Sequence, residues 1–225
     1  MRSEHAGLDA VLFDMDGTLV DTEGLWWQAT ASIAASLGRS LGAEDVPYVL
    51  GRTIEDVAAH LLTPTPPPRP SPDPPLMTEV VRELTDAFAD RIEQGVKVMP
   101  GAPELLAELA ATAIPTALVT ASPRTIVDLV LPRLGHTFDL VITNEDTARG
   151  KPHPDPYLEA ARRLGTTPSR CVAVEDSPTG IAAATAAGCR VLVTSPEKGL
   201  PSLTHLMTND HPPVTADGKG RTGDE

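Results

Sequence analysis

Residues 10–18 read Ala10-Val11-Leu12-Phe13-Asp14-Met15-Asp16-Gly17-Thr18, a short apolar run that passes directly into two aspartates and a glycine. The apolar run is typical of a strand that is covered on both faces within a parallel sheet. Because side chains alternate along a strand, Asp14 and Asp16 point to the same side as the strand ends. Gly17 then permits a tight turn. We therefore expect a buried strand with two carboxylates at its carboxyl end.

Four later apolar runs have the same character, and helical patterns lie between them. The runs are Thr116–Thr120, Leu140–Thr143, Val172–Val174 and Val191–Val193. The helical patterns are Pro103–Ala111, Thr125–Leu131, Pro156–Leu164 and Thr179–Ala187. Strands that alternate with helices predict βαβ units with right-handed crossovers. We therefore predict the α/β class, as a doubly wound, Rossmann-like parallel sheet whose ligands bind beyond the carboxyl ends of the strands.

The interval between the first two predicted strands breaks this alternation, because its patterns are helical. They cover Glu23–Leu37, Ile54–Leu62 and Met77–Gln94. Loops tolerate insertions at a low entropic cost. We expect a small helical cap, residues 22–95, inserted into an α/β core formed by residues 1–21 and 96–205.

Proline dominates Thr63–Pro75, where eight of the thirteen residues are Pro. Proline excludes both a regular helix and a central strand, so we expect a polyproline II or disordered linker within the cap. A role as a peptide ligand for another protein is the alternative. The polar tail, residues 206–225, is expected to be disordered.

The net charge of the chain is −13, from 18 basic and 31 acidic residues. This balance argues against a nucleic-acid partner, because a phosphate backbone is held by surfaces rich in lysine and arginine. No apolar run approaches the ~20 residues that span a bilayer, and the start of the chain has no signal-peptide pattern. We expect a soluble, cytoplasmic protein without a membrane partner, with a monomer favoured and with Cys171 and Cys189 as free thiols.

A second pair of acidic residues, Glu175-Asp176, follows the fourth predicted strand. Parallel strands end at the same edge of a sheet, so Asp176 is expected beside Asp14. Converging carboxylates repel each other unless a cation lies between them, and Mg²⁺ prefers carboxylate oxygens and waters as ligands. The pattern therefore favours a magnesium site, although Asp176 or Ser177 taken alone could be a helix N-cap.

Groups suited to binding a phosphate follow the second and third predicted strands. Thr120, Ala121 and Ser122 precede a helix, where a hydroxyl and free backbone N–H groups can bind an anion. Lys151 follows the third strand in Gly150-Lys151-Pro152, and its compact charge suits a phosphoryl group in transfer. Either group alone is weak evidence, since a threonine at that place is usually a cap and a loop lysine is usually solvated. Together they predict phosphate chemistry.

These motifs together resemble the haloacid dehalogenase superfamily of phosphotransferases, and in particular its members with a helical cap after the first strand. The four motifs are Asp14-Met15-Asp16-Gly17-Thr18-Leu19-Val20-Asp21, Thr120 with Ser122, Gly150-Lys151-Pro152, and Glu175-Asp176-Ser177-Pro178-Thr179-Gly180. They occur in this order on successive predicted strands, and the resemblance extends over about residues 8–200.

The resemblance implies a role for each motif residue. Asp14 would attack phosphorus to give an aspartyl-phosphate, and Asp16 would protonate the leaving alcohol and then activate water. Lys151 and Thr120 would hold the phosphoryl oxygens. The further residues expected at the phosphate are Gly17, Ala121 and Ser122. The residues implied around Mg²⁺ are Asp14, Asp16 through its backbone carbonyl, Asp176 and, nearby, Glu175 or Ser177.

Phosphatase and mutase members of this superfamily differ in what reaches the aspartyl-phosphate second, water or a sugar hydroxyl. We expect a phosphatase that acts on a small phosphate ester, with a sugar-phosphate mutase of the β-phosphoglucomutase type as the alternative. In the cap, Arg52 could hold a remote phosphate or carboxylate of the substrate, or be a surface arginine at a helix start. Phosphonate-cleaving members would need a cap lysine, which Glu23–Gln94 lacks. A remote alternative is a non-catalytic protein-binding module that uses the proline-rich segment.

Overall fold

The computed structural model describes residues 8–63 and 76–208, and every element named below lies in these ranges. In chain order the elements are β1 (Ala10–Phe13), β2 (Val20–Asp21), α1 (Glu23–Ser36), α2 (Val46–Val49), α3 (Ile54–Leu62), α4 (Met77–Gln94), β3 (Lys97–Val98), α5 (Ala102–Ala110), β4 (Thr116–Val119), α6 (Arg124–Val130), β5 (Leu140–Ile142), α7 (Asp155–Leu164), β6 (Cys171–Glu175), α8 (Pro178–Ala187), β7 (Arg190–Val193) and α9 (Leu203–Met207). Every strand and helix predicted from the sequence is present, with bounds that differ by at most one residue at either end.

The five-stranded sheet has the order β5-β4-β1-β6-β7, and all neighbouring pairs are parallel. β1 lies in the middle, with Phe13 opposite Leu118 of β4 and Val174 of β6. Because these three strands are in register, the residues that follow them emerge side by side at one edge of the sheet. The predicted α/β class with a doubly wound parallel sheet is confirmed.

Two apolar layers cover the faces of the sheet, and they differ in the size of their side chains. β1 contributes Val11 and Phe13 to one layer and Ala10 and Leu12 to the other, and all four residues are fully buried. The alanines of the second layer are Ala10, Ala117, Ala160, Ala161, Ala173, Ala183 and Ala184. Such small side chains let α7 and α8 lie close to the strands. Tyr157 of α7 is the largest residue buried in that layer.

The helices between β2 and β3 pack against one another. α4 contacts both α1 and α3, and Trp26 meets Phe88 edge to face with their ring centroids 5.2 Å apart. The indole N–H of Trp26 donates to the carbonyl of Val49 at 2.9 Å, which ties α1 to the end of α2. β2 and β3 pair antiparallel, with Val20 opposite Val98, where the chain leaves for these helices and returns. The division into a core and an inserted cap stays a prediction.

The structure also contains elements that the sequence patterns did not predict. β2 and β3 have two residues each, and α2 and α9 have four and five. Segments this short contain less than two helical turns or a single alternation of side chains, so hydrophobic periodicity cannot reveal them.

Three other predictions concern the linker, the cysteines and the membrane. Residues 64–75 of the predicted proline-rich linker and residues 209–225 of the predicted tail lie outside the described residues. The first residues of the predicted tail are ordered instead, because Leu206 and Met207 complete α9 and Leu206 is fully buried. Cys171 and Cys189 are buried free thiols, as predicted. Within residues 8–63 and 76–208, no helix is both long and apolar enough to cross a membrane.

Gly101 provides a test of how tightly the start of α5 packs against the backbone of Leu200. It precedes α5 with a φ of +80°, and a Cβ there would lie 2.5 Å from the carbonyl oxygen of Leu200. Gly135 also has a positive φ, +61°, but a Cβ there would meet no described atom within 4 Å. We expect Gly135→Ala to lower the free energy of unfolding by about 1 kcal/mol, the cost of the left-handed conformation. We expect Gly101→Ala to lower it by about 2–4 kcal/mol, because overpacking is added. Urea unfolding measures both values, and equal losses would contradict the close packing on Leu200.

Candidate active site

The chain turns sharply after β1 and brings its acidic residues to the carboxyl edge of the sheet. Gly17 has a φ of +83°, and its N–H donates to the carbonyl of Val20 at 2.8 Å. A Cβ at Gly17 would lie 2.1 Å from Oδ2 of Asp176. Glycine is therefore required twice, for the backbone conformation and for the approach of Asp176. Thr18 Oγ1 donates to Asp176 Oδ1 at 3.0 Å and holds this carboxylate beside the turn.

Lys151 links the carboxylates at the ends of β1 and β6. Its Nζ donates to Asp14 Oδ1 at 2.6 Å and to Glu175 Oε1 at 2.5 Å, and its side chain is only 4% exposed. Burial opposes the charge, but the two carboxylates outweigh burial and raise the pKa of Lys151 above its ordinary value. The lysine is therefore a permanent cation beside Asp14.

The acidic cluster carries more negative charge than Lys151 balances. Asp14, Glu175 and Asp176 each place a carboxylate oxygen within 4.8 Å of the others. Burial and the charge of Glu175 raise the pKa of Asp14 well above its ordinary value. The same two causes raise the pKa of Asp176 to about 6. Repulsion of this kind is what a bound dication relieves.

Two oxygens of this cluster are available to a metal ion. Among the described residues, no hydrogen-bond donor reaches Asp14 Oδ2 or Asp176 Oδ2, since the donors found for these carboxylates bind the other oxygen. Glu175 differs, because both of its oxygens accept hydrogen bonds from the protein. Carboxylate oxygens are the ligands that Mg²⁺ prefers, so the donor set fits the predicted ion. The participation of Asp16 and Glu175 as ligands stays a prediction.

Glu175 is fully buried at the end of β6, in a chamber lined by donors. Its Oε1 accepts from the hydroxyl of Tyr157 at 2.6 Å as well as from the lysine. Its Oε2 accepts from the N–H of Asp176 at 3.2 Å, and from the N–H and the hydroxyl of Ser177 at 3.4 and 3.2 Å. Gly180 closes the chamber, because a Cβ there would lie 1.8 Å from Oε1. The carboxylate is therefore confined to one position.

Asp16 is surrounded by three hydroxyl groups. Its Oδ1 accepts from Thr22 Oγ1 at 2.8 Å, and its Oδ2 accepts from Ser122 Oγ at 2.8 Å and from Thr120 Oγ1 at 3.3 Å. Burial raises the pKa of Asp16, although these hydroxyl donors oppose the rise. A raised pKa suits a carboxyl group that must first donate a proton and later accept one.

Thr22 is a residue of this site that the sequence patterns did not reveal. It occupies the N-cap position of α1, where a threonine ordinarily caps the helix. Its hydroxyl makes no capping hydrogen bond and donates to Asp16 instead. The one signal in the sequence is its place directly after the motif that begins at Asp14.

A cavity of about 110 Å³ opens beside the acidic cluster. Most of the predicted site residues line it, namely Asp14, Asp16, Arg52, Thr120, Ala121, Ser122, Lys151 and Asp176. The helical segments between β2 and β3 contribute further lining residues, which include Thr22, Glu23, Trp26, Leu50, Ile54 and Phe88. Of the remaining predicted residues, Gly17 lies against Asp176 and Glu175 lies against Lys151. The predicted residues therefore come together around one space.

The chain is similar in sequence to known hydrolases. A sequence model of haloacid dehalogenase-like hydrolases matches residues 11–194, from the second residue of β1 to the residue after β7. Hexitol phosphatase B of Escherichia coli (strain K12) is 34% identical over 216 residues, which cover 89% of this chain and 95% of that protein. The similarity thus extends over nearly the whole length of both proteins.

Solved structures with the same fold include proteins that hold phosphate groups. CbbY of Rhodobacter sphaeroides, a mutant in complex with xylulose-(1,5)bisphosphate, has a TM-score of 0.74 at 30% identity, over 84% of this chain and 86% of that one. A HAD family hydrolase of Deinococcus radiodurans with bound phosphate and sodium has a TM-score of 0.61 at 36% identity, over 83% of this chain and 80% of that one.

Gly180 and Gly24 are two helical glycines that test the chamber around Glu175. Gly24 lies exposed on α1, where a Cβ would meet no described atom within 4 Å. Alanine is the better helix former, so Gly24→Ala is expected to raise the free energy of unfolding by up to about 1 kcal/mol. Gly180→Ala is expected to lower it by about 1–3 kcal/mol, because its Cβ displaces Glu175. Urea unfolding of both variants measures the difference, and a stabilising Gly180→Ala would show that the chamber is not closed at this position.

Proposed function

The chain belongs to the haloacid dehalogenase-like hydrolases, and we propose that it is a Mg²⁺-dependent phosphatase of a small phosphorylated metabolite. The observation that carries this proposal is the contact of Lys151 Nζ with Asp14 Oδ1 at 2.6 Å, in a cavity that Asp16 and Asp176 also line. One space is thus lined by four groups: a nucleophilic carboxylate, a cation, an acid/base group and a further carboxylate for a metal ion. Phosphoryl transfer needs this combination, because its catalysis depends mainly on positioning and on electrostatic stabilisation.

Asp14 is the nucleophile in this proposal. One of its carboxylate oxygens forms a bond to phosphorus while the bond between phosphorus and the ester oxygen breaks, which gives an aspartyl-phosphate. Protonated Asp16 transfers its proton to the departing oxygen, so that an alcohol leaves. In the second step Asp16 accepts a proton from water as the water oxygen bonds to phosphorus and the bond between phosphorus and the Asp14 oxygen breaks. The products are inorganic phosphate and the restored carboxylate of Asp14.

Positive charge beside Asp14 makes attack on an anionic ester feasible. Lys151 supplies one charge, and Asp14 and Asp176 would hold Mg²⁺ together with the backbone carbonyl of Asp16. When bound, Mg²⁺ supplies charge that reduces repulsion between the carboxylate and the ester and stabilises the transferring group. The groups proposed to bind the phosphoryl oxygens are Lys151, Thr120, Ser122 and the backbone at Gly17 and Ala121.

The cavity supports a substrate of small size with both polar and apolar parts. Its volume is about 110 Å³, and besides the acidic cluster its lining combines Trp26 and Leu50 with the charged residues Glu23 and Arg52. The net charge of −13 disfavours nucleic acid as a substrate. A small sugar or polyol phosphate, the class to which the substrate in the name of hexitol phosphatase B belongs, fits these properties.

Arg52 is the observation that favours a sugar-phosphate mutase as the second candidate. It lines the cavity, and its Nε donates to the carbonyl of Pro47 at 3.0 Å. An arginine in the cavity wall suits the second phosphate of a bisphosphate, because guanidinium groups bind phosphate oxygens in pairs. A mutase would transfer the phosphoryl group from Asp14 to a sugar hydroxyl, whereas a phosphatase transfers it to water.

A panel of phosphate esters with released phosphate as the readout tests the phosphatase proposal. The wild-type chain with Mg²⁺ is expected to hydrolyse p-nitrophenyl phosphate slowly and a small sugar or polyol phosphate faster. Asp14→Asn is expected to lower kcat by roughly 10⁴-fold, because the nucleophile is lost. Asp128→Asn, which changes an exposed aspartate of α6, is the control and is expected to retain activity.

Other results of this panel would contradict the phosphatase mechanism or favour one of the two alternatives. Full metal-dependent activity of Asp14→Asn would contradict the nucleophilic role. Little phosphate release together with activation by a sugar bisphosphate would favour the mutase. A lack of any phosphoryl transfer would favour the protein-binding module.

Magnesium binding is expected to stabilise the folded chain as well as to activate it. At a Mg²⁺ concentration of about 100 times Kd, the free energy of unfolding is expected to rise by about 2.7 kcal/mol, because the ion binds only the folded carboxylate pair. Asp176→Asn is expected to abolish this increase, and chelation of the metal is expected to remove the activity of the wild type. Urea unfolding with and without Mg²⁺ measures the effect. A stabilisation that persists in Asp176→Asn would place the ion elsewhere.

A further inference from the structure

Tyr157 is a buried polar residue that the proposed mechanism does not use. It lies on α7, six residues after Lys151, within the layer of small side chains that covers one face of the sheet. Its side chain is fully buried, and its hydroxyl donates to Glu175 Oε1 at 2.6 Å. A phenylalanine would fill the same volume, so the hydroxyl itself requires an explanation.

The hydroxyl of Tyr157 binds the same oxygen atom that binds the lysine. Glu175 Oε1 accepts from Tyr157 at 2.6 Å and from Lys151 Nζ at 2.5 Å, and Nζ also donates to Asp14 at 2.6 Å. The Nζ atom lies 5.3 Å from the centroid of the Tyr157 ring, within the range of a cation–π contact. Tyr157 therefore touches the lysine through its ring and contacts the lysine's partner through its hydroxyl.

Lys151 needs such support because its side chain is long and flexible. A lysine ammonium is a point charge on a four-carbon stem, and ordering that stem costs side-chain entropy. The position of the Lys151 ammonium depends on Glu175 Oε1, the oxygen that it contacts. The other oxygen, Oε2, accepts from three donors of Asp176 and Ser177. Without the tyrosine hydroxyl, Oε1 would keep Lys151 as its sole donor among the described residues. The ammonium would then be drawn toward Glu175 and away from Asp14.

We propose that Tyr157 is a positioning residue that shares Glu175 Oε1 with Lys151 and thereby keeps the Lys151 ammonium against Asp14. The inference rests on the proposed phosphatase function, because it assigns Lys151 to the charge of the transferring phosphoryl group. Small displacements of such a charge affect the transition state more than the bound substrate, since the interaction is strongest where negative charge develops. Tyr157 thus acts on the rate of phosphoryl transfer without contact with the substrate.

Tyr157→Phe and Tyr48→Phe form a matched pair, because each removes one of the two tyrosine hydroxyls of the chain. Tyr48 is 54% exposed and its ring stacks on His60, outside the site. With Mg²⁺ and the best ester of the panel, Tyr157→Phe is expected to lower kcat by about tenfold and to leave KM within about twofold. Tyr48→Phe is expected to change neither constant. An unchanged kcat in Tyr157→Phe, or an equal loss in both variants, would overturn the inference.

A Lys151→Met background separates positioning from a loss of folded protein. If Tyr157 acts through Lys151, the residual kcat of Lys151→Met is expected to be the same with and without Tyr157→Phe. A purely structural effect would reduce the rate in both backgrounds by the same factor, and that result would contradict the inference. A wild-type chain without phosphatase activity would overturn the proposed function and this inference together. An active wild type with an unaltered Tyr157→Phe variant would overturn this inference alone.

Discussion

Four carboxylates meet at the carboxyl edge of one sheet, and the rest of the site is arranged around their mutual repulsion. Glu175 accepts hydrogen bonds from five donor groups and is satisfied within the protein. Asp16 is satisfied by three hydroxyls. Asp14 shares Lys151 with Glu175, and among residues 8–63 and 76–208 the one donor to the side chain of Asp176 is the hydroxyl of Thr18. The uncompensated charge therefore lies on Asp14 and Asp176, which is where a dication would contribute most.

The fold could be predicted because its strands are buried on both faces. All four residues of β1 are fully buried, so the strand appears in the sequence as an unbroken apolar run. Once the sheet is parallel, the carboxyl ends of β1, β5 and β6 must share an edge, and Asp14, Lys151 and Asp176 could be assigned to one site from their places after these strands. β2 and β3 could not be predicted, because a two-residue ladder depends on a partner far along the chain.

Two residues of the site escaped prediction because their hydroxyls bind partners that only the tertiary structure supplies. Thr22 has the sequence context of a helix cap, yet its hydroxyl binds Asp16. Tyr157 falls on the apolar face of a predicted helix, and the partner of its hydroxyl, Glu175, lies at the end of β6. Trp26 has both a structural place and a place in the site, since it packs on Phe88 as a core residue and also lines the cavity. Local patterns identify burial well, but they do not identify the partner of a buried polar atom.

An acyl phosphate on Asp14 is the species that separates nucleophilic catalysis from direct attack by water. Acid quenching during turnover preserves such a bond, and borohydride reduction then converts a phosphorylated aspartate into homoserine, which peptide mass spectrometry locates. We expect homoserine at position 14, formed only when substrate and Mg²⁺ are present, with Asp16 and Asp176 unchanged. Homoserine at another aspartate, or none in protein quenched while phosphate is being released, would contradict the assignment of Asp14 as the nucleophile.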